Sequence, residues 1–173
     1  MNRDIPIPGS TKHKLINVGI QLFSAHGYVN TEVEEVASKA GVTVGALYHH
    51  FKSKLRFYGL IRDDMTLRIL DRMEAVVEVV PADTALLSAV LSAYDGMLRL
   101  QVGFLLAEPD PRNEENKIAK CLEEIAISCE EEAARELGIL LAESLRAALY
   151  EVVVNDGDPT LGRTALSRLL SAK

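Results

Sequence analysis

Residues Thr31–Lys54, TEVEEVASKAGVTVGALYHHFKSK, decide how the rest of the chain is read. Thr31 is a good helix N-cap, and Glu34 completes a Thr-x-x-Glu capping box, so a helix is expected to start there. Val33, Val36, Ala37 and Ala40 recur at helical spacing and give that helix one apolar face. Gly41 follows at once, where a left-handed C-cap costs glycine nothing. Val42 plugs the turn, Thr43 caps a short second helix, and Leu47 points back into the core. That second helix presents Thr43, Val44, Gly45, Ala46, Tyr48 and His49 outward. Ser53 then caps a third helix with Lys54 in its first turn. Two helices joined by a short glycine-containing turn form a helix-turn-helix, a unit that sets its second helix in the major groove of DNA.

The same residues extend into a longer pattern between Lys12 and Leu60. It comprises Leu22-Phe23, His26-Gly27-Tyr28, Thr31, Val36-Ala37, Ala40-Gly41-Val42, Gly45, Leu47-Tyr48, His50-Phe51 and Ser53-Lys54. In this order and spacing the pattern resembles the tetracycline-repressor (TetR) family of transcriptional regulators. The remaining two thirds of the chain resembles the family only in being helical. The resemblance implies an all-α fold, with an N-terminal three-helix helix-turn-helix domain followed by a helical effector-binding and dimerisation domain. It also implies a double-stranded DNA operator, a homodimer and a small apolar or amphipathic effector as partners. The effector would release a repressor from its operator.

Composition agrees with a soluble globular protein: 173 residues, 48% hydrophobic and 25% charged. No apolar run approaches the roughly 18 residues needed to span a bilayer, and no signal-peptide core follows Arg3 and Asp4. A cytoplasmic protein with no membrane association is therefore expected. Charge is uneven. Residues 1–60 carry seven Lys/Arg against four Asp/Glu and all four histidines, while the rest carries twelve against twenty-one. A mildly basic head on an acidic body suits a chain that docks DNA at one end, although the charge balance alone would not argue for nucleic acid. Cys121 and Cys129 are expected to lie roughly 12 Å apart along one helix, too far for a disulfide. They read as reduced core thiols, with a ligand-lining role as the alternative.

In chain order, residues 1–10 read as a flexible tail, or as an arm using Arg3 to reach a DNA groove. Residues 11–57 form the helix-turn-helix domain. Its first helix runs from Thr11 to His26, with Leu15, Val18, Leu22 and Phe23 buried. Gly27 ends that helix, and Tyr28 packs under the second. Residues 58–173 form the body. A long helix from Ser53 to Val80, stopped by Pro81, joins the two, with Leu55, Tyr58, Ile61, Met65, Leu70, Met73 and Val77 among its apolar positions. Further helices are expected from Asp83 or Thr84 to Leu100, through Phe104 and Leu106, and from Asn113 to Val154 with an interruption near Gly138. Pro109-Asp110-Pro111 breaks regular structure. Asp158-Pro159 opens a last helix to Ala172 that carries Leu161, Ala165, Leu166, Leu169 and Leu170. The dimer interface is expected on about Leu137–Val154 and Pro159–Ala172.

The DNA-binding candidates are Thr31, Thr43, Val44, Gly45, Tyr48, His49, His50 and Lys54. The resemblance puts Tyr48, His50 and Lys54 at phosphate-contacting positions, although Tyr48 has core packing as its alternative. Thr31 would act through the N-terminus of its helix. Thr43, Val44 and Gly45 would face base edges; Val44 offers methyl groups suited to thymine, and Gly45 lets the backbone come close. Tyr94, Met97, Gln101, Phe104, Cys121 and Tyr150 are candidate effector-lining residues, with core packing as the alternative for each. Catalysis is not expected. There is no phosphate loop and no nucleophile elbow, and no histidine lies beyond His50. His49 and His50 diverge by about 100° on a helix and cannot chelate one ion together. No metal or cofactor is expected. Glu123-Glu124 and Glu130-Glu131-Glu132 read as solvated helix faces. The competing functional reading is an interaction protein that keeps the fold but has lost operator binding, because Glu32, Glu34 and Glu35 crowd the head with negative charge.

Overall fold

The computed structural model of the chain describes residues 7–171. Helices account for its regular structure, in the order α1 (Thr11–His26), α2 (Val33–Ala40), α3 (Val44–Phe51), α4 (Lys54–Val77), α5 (Ala82–Arg99), α6 (Gly103–Ala107), α7 (Lys117–Ser128), α8 (Ala134–Val154) and α9 (Pro159–Ser171). Among the described residues there is no strand, so the fold is all-α as expected. The tail expected at residues 1–10, with Arg3, falls mostly outside the described residues. Ser10 caps α1 by accepting from the His13 amide at 3.2 Å.

The head forms as its local sequence dictates. Gly27, at φ 75°, ends α1 where an L side chain would be strained. Gly41, at φ 68° and ψ 36°, ends α2, and the Val42 amide bonds back to the Ala37 carbonyl at 3.0 Å. Thr43 accepts from the Ala46 amide to cap α3, and Ser53 accepts from the Arg56 amide to cap α4. Leu15, Phe23, Val36, Leu47, Phe57 and Tyr58 meet in one core. The Phe23 ring stands edge-on to Tyr58 at 5.0 Å, and Phe51 packs on Phe57 at 4.5 Å.

One expectation about the head needs correction. Thr31 does not cap α2: the N-cap is Glu32, which makes no side-chain capping bond. Thr31 is instead fully buried, its hydroxyl shared between the Gly27 carbonyl at 2.8 Å and the Leu22 carbonyl at 3.2 Å. There it gives the Gly27 carbonyl, just past the end of α1, a hydrogen-bond partner. Tyr28 packs against Tyr58 of α4, at 5.1 Å between ring centroids.

The body is built on α4. Its 24 residues span about 36 Å and run from the head into the body, where α5 lies alongside. It ends at Val77, short of Val80, because Pro81 disfavours helical geometry in the residue before it. Leu55 of this helix faces solvent at 37% exposure. Helices α7 and α8 pack as a pair, α6 lies against α1 and α8, and α9 closes against α5 and α8.

The stretch from Asn113 to Val154 does break, but over residues 129–133 rather than at Gly138. Glu130 and Ala133 take left-handed conformations there. Three consecutive carboxylates beside the negative end of α7 oppose its dipole and favour termination, so Glu130–Glu132 lie in a connection and not on a helix face. Gly138 is buried within α8, where a Cβ would lie 2.6 Å from the Ala119 carbonyl oxygen. Its missing side chain is what lets α7 and α8 approach. Cys129 is the C-cap of α7, and both cysteines are free thiols. Burial, with Glu74 and Glu124 adding to it, pushes the Cys121 thiol up to about 11. In α9 only Leu166 of the expected apolar residues is buried, while Leu161 and Leu169 are exposed at 68% and 60%.

Candidate nucleic-acid interface

Helix α3 is anchored from one side and open on the other. Leu47 and Phe51 hold it to the core. Thr43, Gly45, Tyr48, His49 and His50 are exposed, Tyr48 at 41%. Five of the DNA-binding candidates are thus exposed on α3 and its N-cap. The Tyr48 ring lies outside the head's core. Val44 is only half-buried and packs partly on the core, so fewer of its methyl groups are free for a base. A Cβ on Gly45 would meet nothing nearer than the Thr43 hydroxyl at 3.8 Å, so the chain's own packing does not require glycine there. The His49 and His50 rings stand 5.5 Å apart, nearly perpendicular. Among the described residues no group of three or more His, Cys, Asp or Glu side chains could hold a metal ion.

Lys54 sits at the first position of α4, half-buried. Its ammonium lies 4.8 Å from the centre of the Tyr28 ring and 3.4 Å from the Val29 carbonyl oxygen, beside the loop after α1. Thr31, also in that loop, has no side-chain surface to offer and touches the interface only through the backbone it holds. Of the acidic residues in α2, Glu35 is neutralised by Lys39 at 2.9 Å. The Lys39 hydrogen bond outweighs desolvation and holds the Glu35 carboxyl below its ordinary range.

The effector candidates do not converge. Tyr94 is fully buried and donates its hydroxyl to the Pro159 carbonyl at 3.1 Å, which joins α5 to the start of α9. Gln101 and Tyr150 are exposed, Phe104 is half-buried, and Cys121 is in the core. Only Met97 lines the body's cleft, a cavity of about 380 Å³ between α4, the 108–117 segment and α8. Leu106, Ile118 and Ala142 also line it, and its walls carry Arg62, Asp63, Asp110, Arg112, Lys117, Glu143 and Arg146. The charges compensate one another. Arg112 reaches Asp110 at 2.7 Å and Asp63 at 3.0 Å, Lys117 reaches Asp63 at 3.1 Å, and Arg146 reaches Glu143 at 2.6 Å. Burial raises the Asp63 and Asp110 carboxyls, but hydrogen bonds and positive charge together, from Arg112 and Lys117 at Asp63 and from Arg112 and Arg62 at Asp110, leave both below their ordinary range.

A model of bacterial regulatory proteins of the tetR family matches residues 15–57, the span that builds this head. The head is therefore similar to the tetR family of bacterial regulatory proteins. Among relatives of the chain, the transcriptional regulator LmrA of Bacillus subtilis is 27% identical over 167 residues, covering 91% of the chain and 88% of LmrA. The transcriptional repressor KstR2 of Mycolicibacterium smegmatis is 27% identical over 86 residues, covering 50% of the chain and 42% of KstR2. The chain thus spans less than half the length of that repressor. The crystal structure of the regulator FadR of Bacillus subtilis, in complex with stearoyl-CoA, superposes with a TM-score of 0.72 over 92% of the chain and 97% of FadR. At 17% identity that likeness shows a shared fold, head and body together. No helix among the described residues is long and apolar enough to cross a membrane.

Two cations escaped the sequence reading. Lys52 caps the end of α3 in a left-handed conformation, its ammonium folded back on the His49 carbonyl at 2.8 Å, and Arg56 is exposed in the first turn of α4. The available signal was the run Lys52-Ser53-Lys54-Leu55-Arg56: three cations at a helix start oppose the dipole, an arrangement that a phosphate would relieve.

Proposed function

We propose that the chain is a TetR-family regulator that binds operator DNA as a homodimer and represses transcription until a small amphipathic molecule lowers its DNA affinity. The observation that carries the reading is the open face of α3, which commits Thr43, Gly45, Tyr48, His49 and His50 to no internal contact that would hide them. Lys54 stands beside it. In this reading Tyr48, His50 and Lys54 anchor phosphates, and Thr43, Val44 and Gly45 lie nearest the bases. Thr31 contributes by fixing the loop.

Support for the homodimer comes from apolar side chains left exposed on the last two helices. Leu140 is 64% exposed, Tyr150 39% and Val154 40% on α8, and Leu161 and Leu169 are exposed on α9. A second copy packed on this face would bury them and fix two reading helices at one spacing, which must be near 34–36 Å to enter successive grooves. Support for an amphipathic effector comes from the cleft, whose lining combines Met97, Leu106, Ile118 and Ala142 with charged side chains. The stearoyl-CoA bound by the FadR neighbour is a ligand of that character. Such a molecule releases DNA only if it prefers the dimer geometry in which the helices no longer match the grooves. The test is a titration of DNA flanking the chain's own gene against random duplex, with sedimentation of the free protein. Preference for the flanking fragment and a dimer at micromolar concentration are expected. Equal affinity for both duplexes, or a stable monomer, would overturn the reading.

A further inference from the structure

We infer that two body residues, Arg62 and Glu108, are positioning residues for the DNA-facing head and act through Tyr28 on Lys54. The inference rests on the functional reading above for its meaning, and on a continuous set of contacts for its structure. Arg62 of α4 fastens the end of α6. Its guanidinium donates to the Leu105 carbonyl, to the Glu108 carbonyl at 3.1 Å and to the Tyr58 hydroxyl at 2.8 Å, and its Nε lies 3.3 Å from Asp110. With a side chain only 13% exposed, it has little alternative solvation. The segment it holds carries Glu108, whose carboxylate reaches across to the head. That carboxylate lies against Gly27, where it fills the space a side chain would take, and accepts the Tyr28 amide at 3.4 Å.

Tyr28 is where the body's hold meets the interface. The Tyr58 ring supports it from α4 at 5.1 Å, and the Lys54 ammonium lies 4.8 Å from its ring centre. Lys54 also bonds to the carbonyl of the next residue, Val29. The seat of Lys54 is therefore the 28–29 backbone, and Glu108 holds that backbone from the body. Sequence separation hides the link: Tyr28 and Glu108 are 80 residues apart. Arg62 and Asp110 also line the cleft, so an occupant that drew Asp110 away from Arg62 would loosen the segment carrying Glu108. An amphipathic ligand could then act on Lys54 without approaching it.

The test uses the full chain, random-sequence duplex DNA and three substitutions. Glu108→Ala should weaken DNA binding roughly threefold to tenfold, the range set by one hydrogen bond. In a Lys54→Ala background the same substitution should change almost nothing. Glu108→Gln should restore affinity, because an amide oxygen accepts the Tyr28 amide as a carboxylate does. A role in stability alone would instead give the same fold-loss in both backgrounds, and that additivity would overturn the inference. Amide exchange in the free protein provides a readout without DNA: Glu108→Ala should speed exchange at Tyr28 and Val29 and leave α7 and α8 protected. Unchanged exchange at Tyr28 would overturn the latch. A wild-type chain that bound no DNA, with Tyr28 still responding to Glu108→Ala, would overturn the functional reading and leave the latch standing.

Discussion

Replacing Gly45 with alanine should move stability and DNA affinity in opposite directions. Gly45 is the second residue of α3, and its φ lies outside the left-handed region. An alanine there removes backbone freedom from the unfolded chain and meets no neighbour closer than the Thr43 hydroxyl at 3.8 Å, which is ordinary contact. The free protein should gain roughly 0.5–1 kcal/mol, the usual difference between glycine and alanine in a helix. For a chain of this size that corresponds to a rise in melting temperature of about 1–4 °C. If the α3 backbone approaches a base edge at this position, the added methyl enters the space the base occupies, and operator affinity should fall while affinity for random duplex changes less. Thermal unfolding supplies the first number, and fluorescence titrations on operator and random DNA supply the second. A stabilised variant that bound its operator as tightly as wild type would refute the close approach. So would equal losses on both duplexes.

Three further outcomes follow from the geometry. Lys54→Ala should make the salt dependence of log K shallower by about 0.9 per protomer, as expected for one lost phosphate contact, on operator and random DNA alike; titrations at two salt concentrations read it. Gly138→Ala should destabilise the fold by about 1–3 kcal/mol despite alanine's better helix propensity, because its Cβ would lie 2.6 Å from the Ala119 carbonyl oxygen and 2.8 Å from the Glu123 nitrogen, both backbone; chemical denaturation measures the loss. The Asp63 and Asp110 carboxyls are held below their ordinary range, so the stability they contribute is present above the unfolded value near about pH 4 and is lost as pH falls through their lower folded values. Denaturation midpoints taken between pH 7 and 3 should therefore fall most steeply at the acid end, and less steeply in Asp110→Asn.

Much of the head was legible because its decisions are local. Thr43 and Ser53 have their capping partners three residues on, and Gly27 and Gly41 end helices by their own backbone angles. Thr31 shows where local reading stops. A threonine three residues before a glutamate looks the same whether it caps a helix or buries its hydroxyl, and the choice was made by two carbonyls at and before the end of α1. In the body nearly every decision is of that second kind. Gly138 read as a break because glycine usually interrupts a helix, yet only the approach of α7 explains it. Apolar spacing selected Tyr94 and Cys121 as effector contacts, but the same spacing describes a core, and the core is where both lie. Two of the residues that wall the cleft, Asp110 and Arg112, were visible as charges around Pro109 and Pro111, a stretch that reads only as a loop. Their pairing could not be read, because Arg112 finds Asp63 on a helix 49 residues earlier. The division follows from the physics of the two parts. In the head, α1, α3 and α4 are each capped by a side chain three residues away, and α2 ends on its own glycine. The body meets itself through partners far apart in sequence, so its contacts emerge only once α4, the 108–117 segment and α8 have come together.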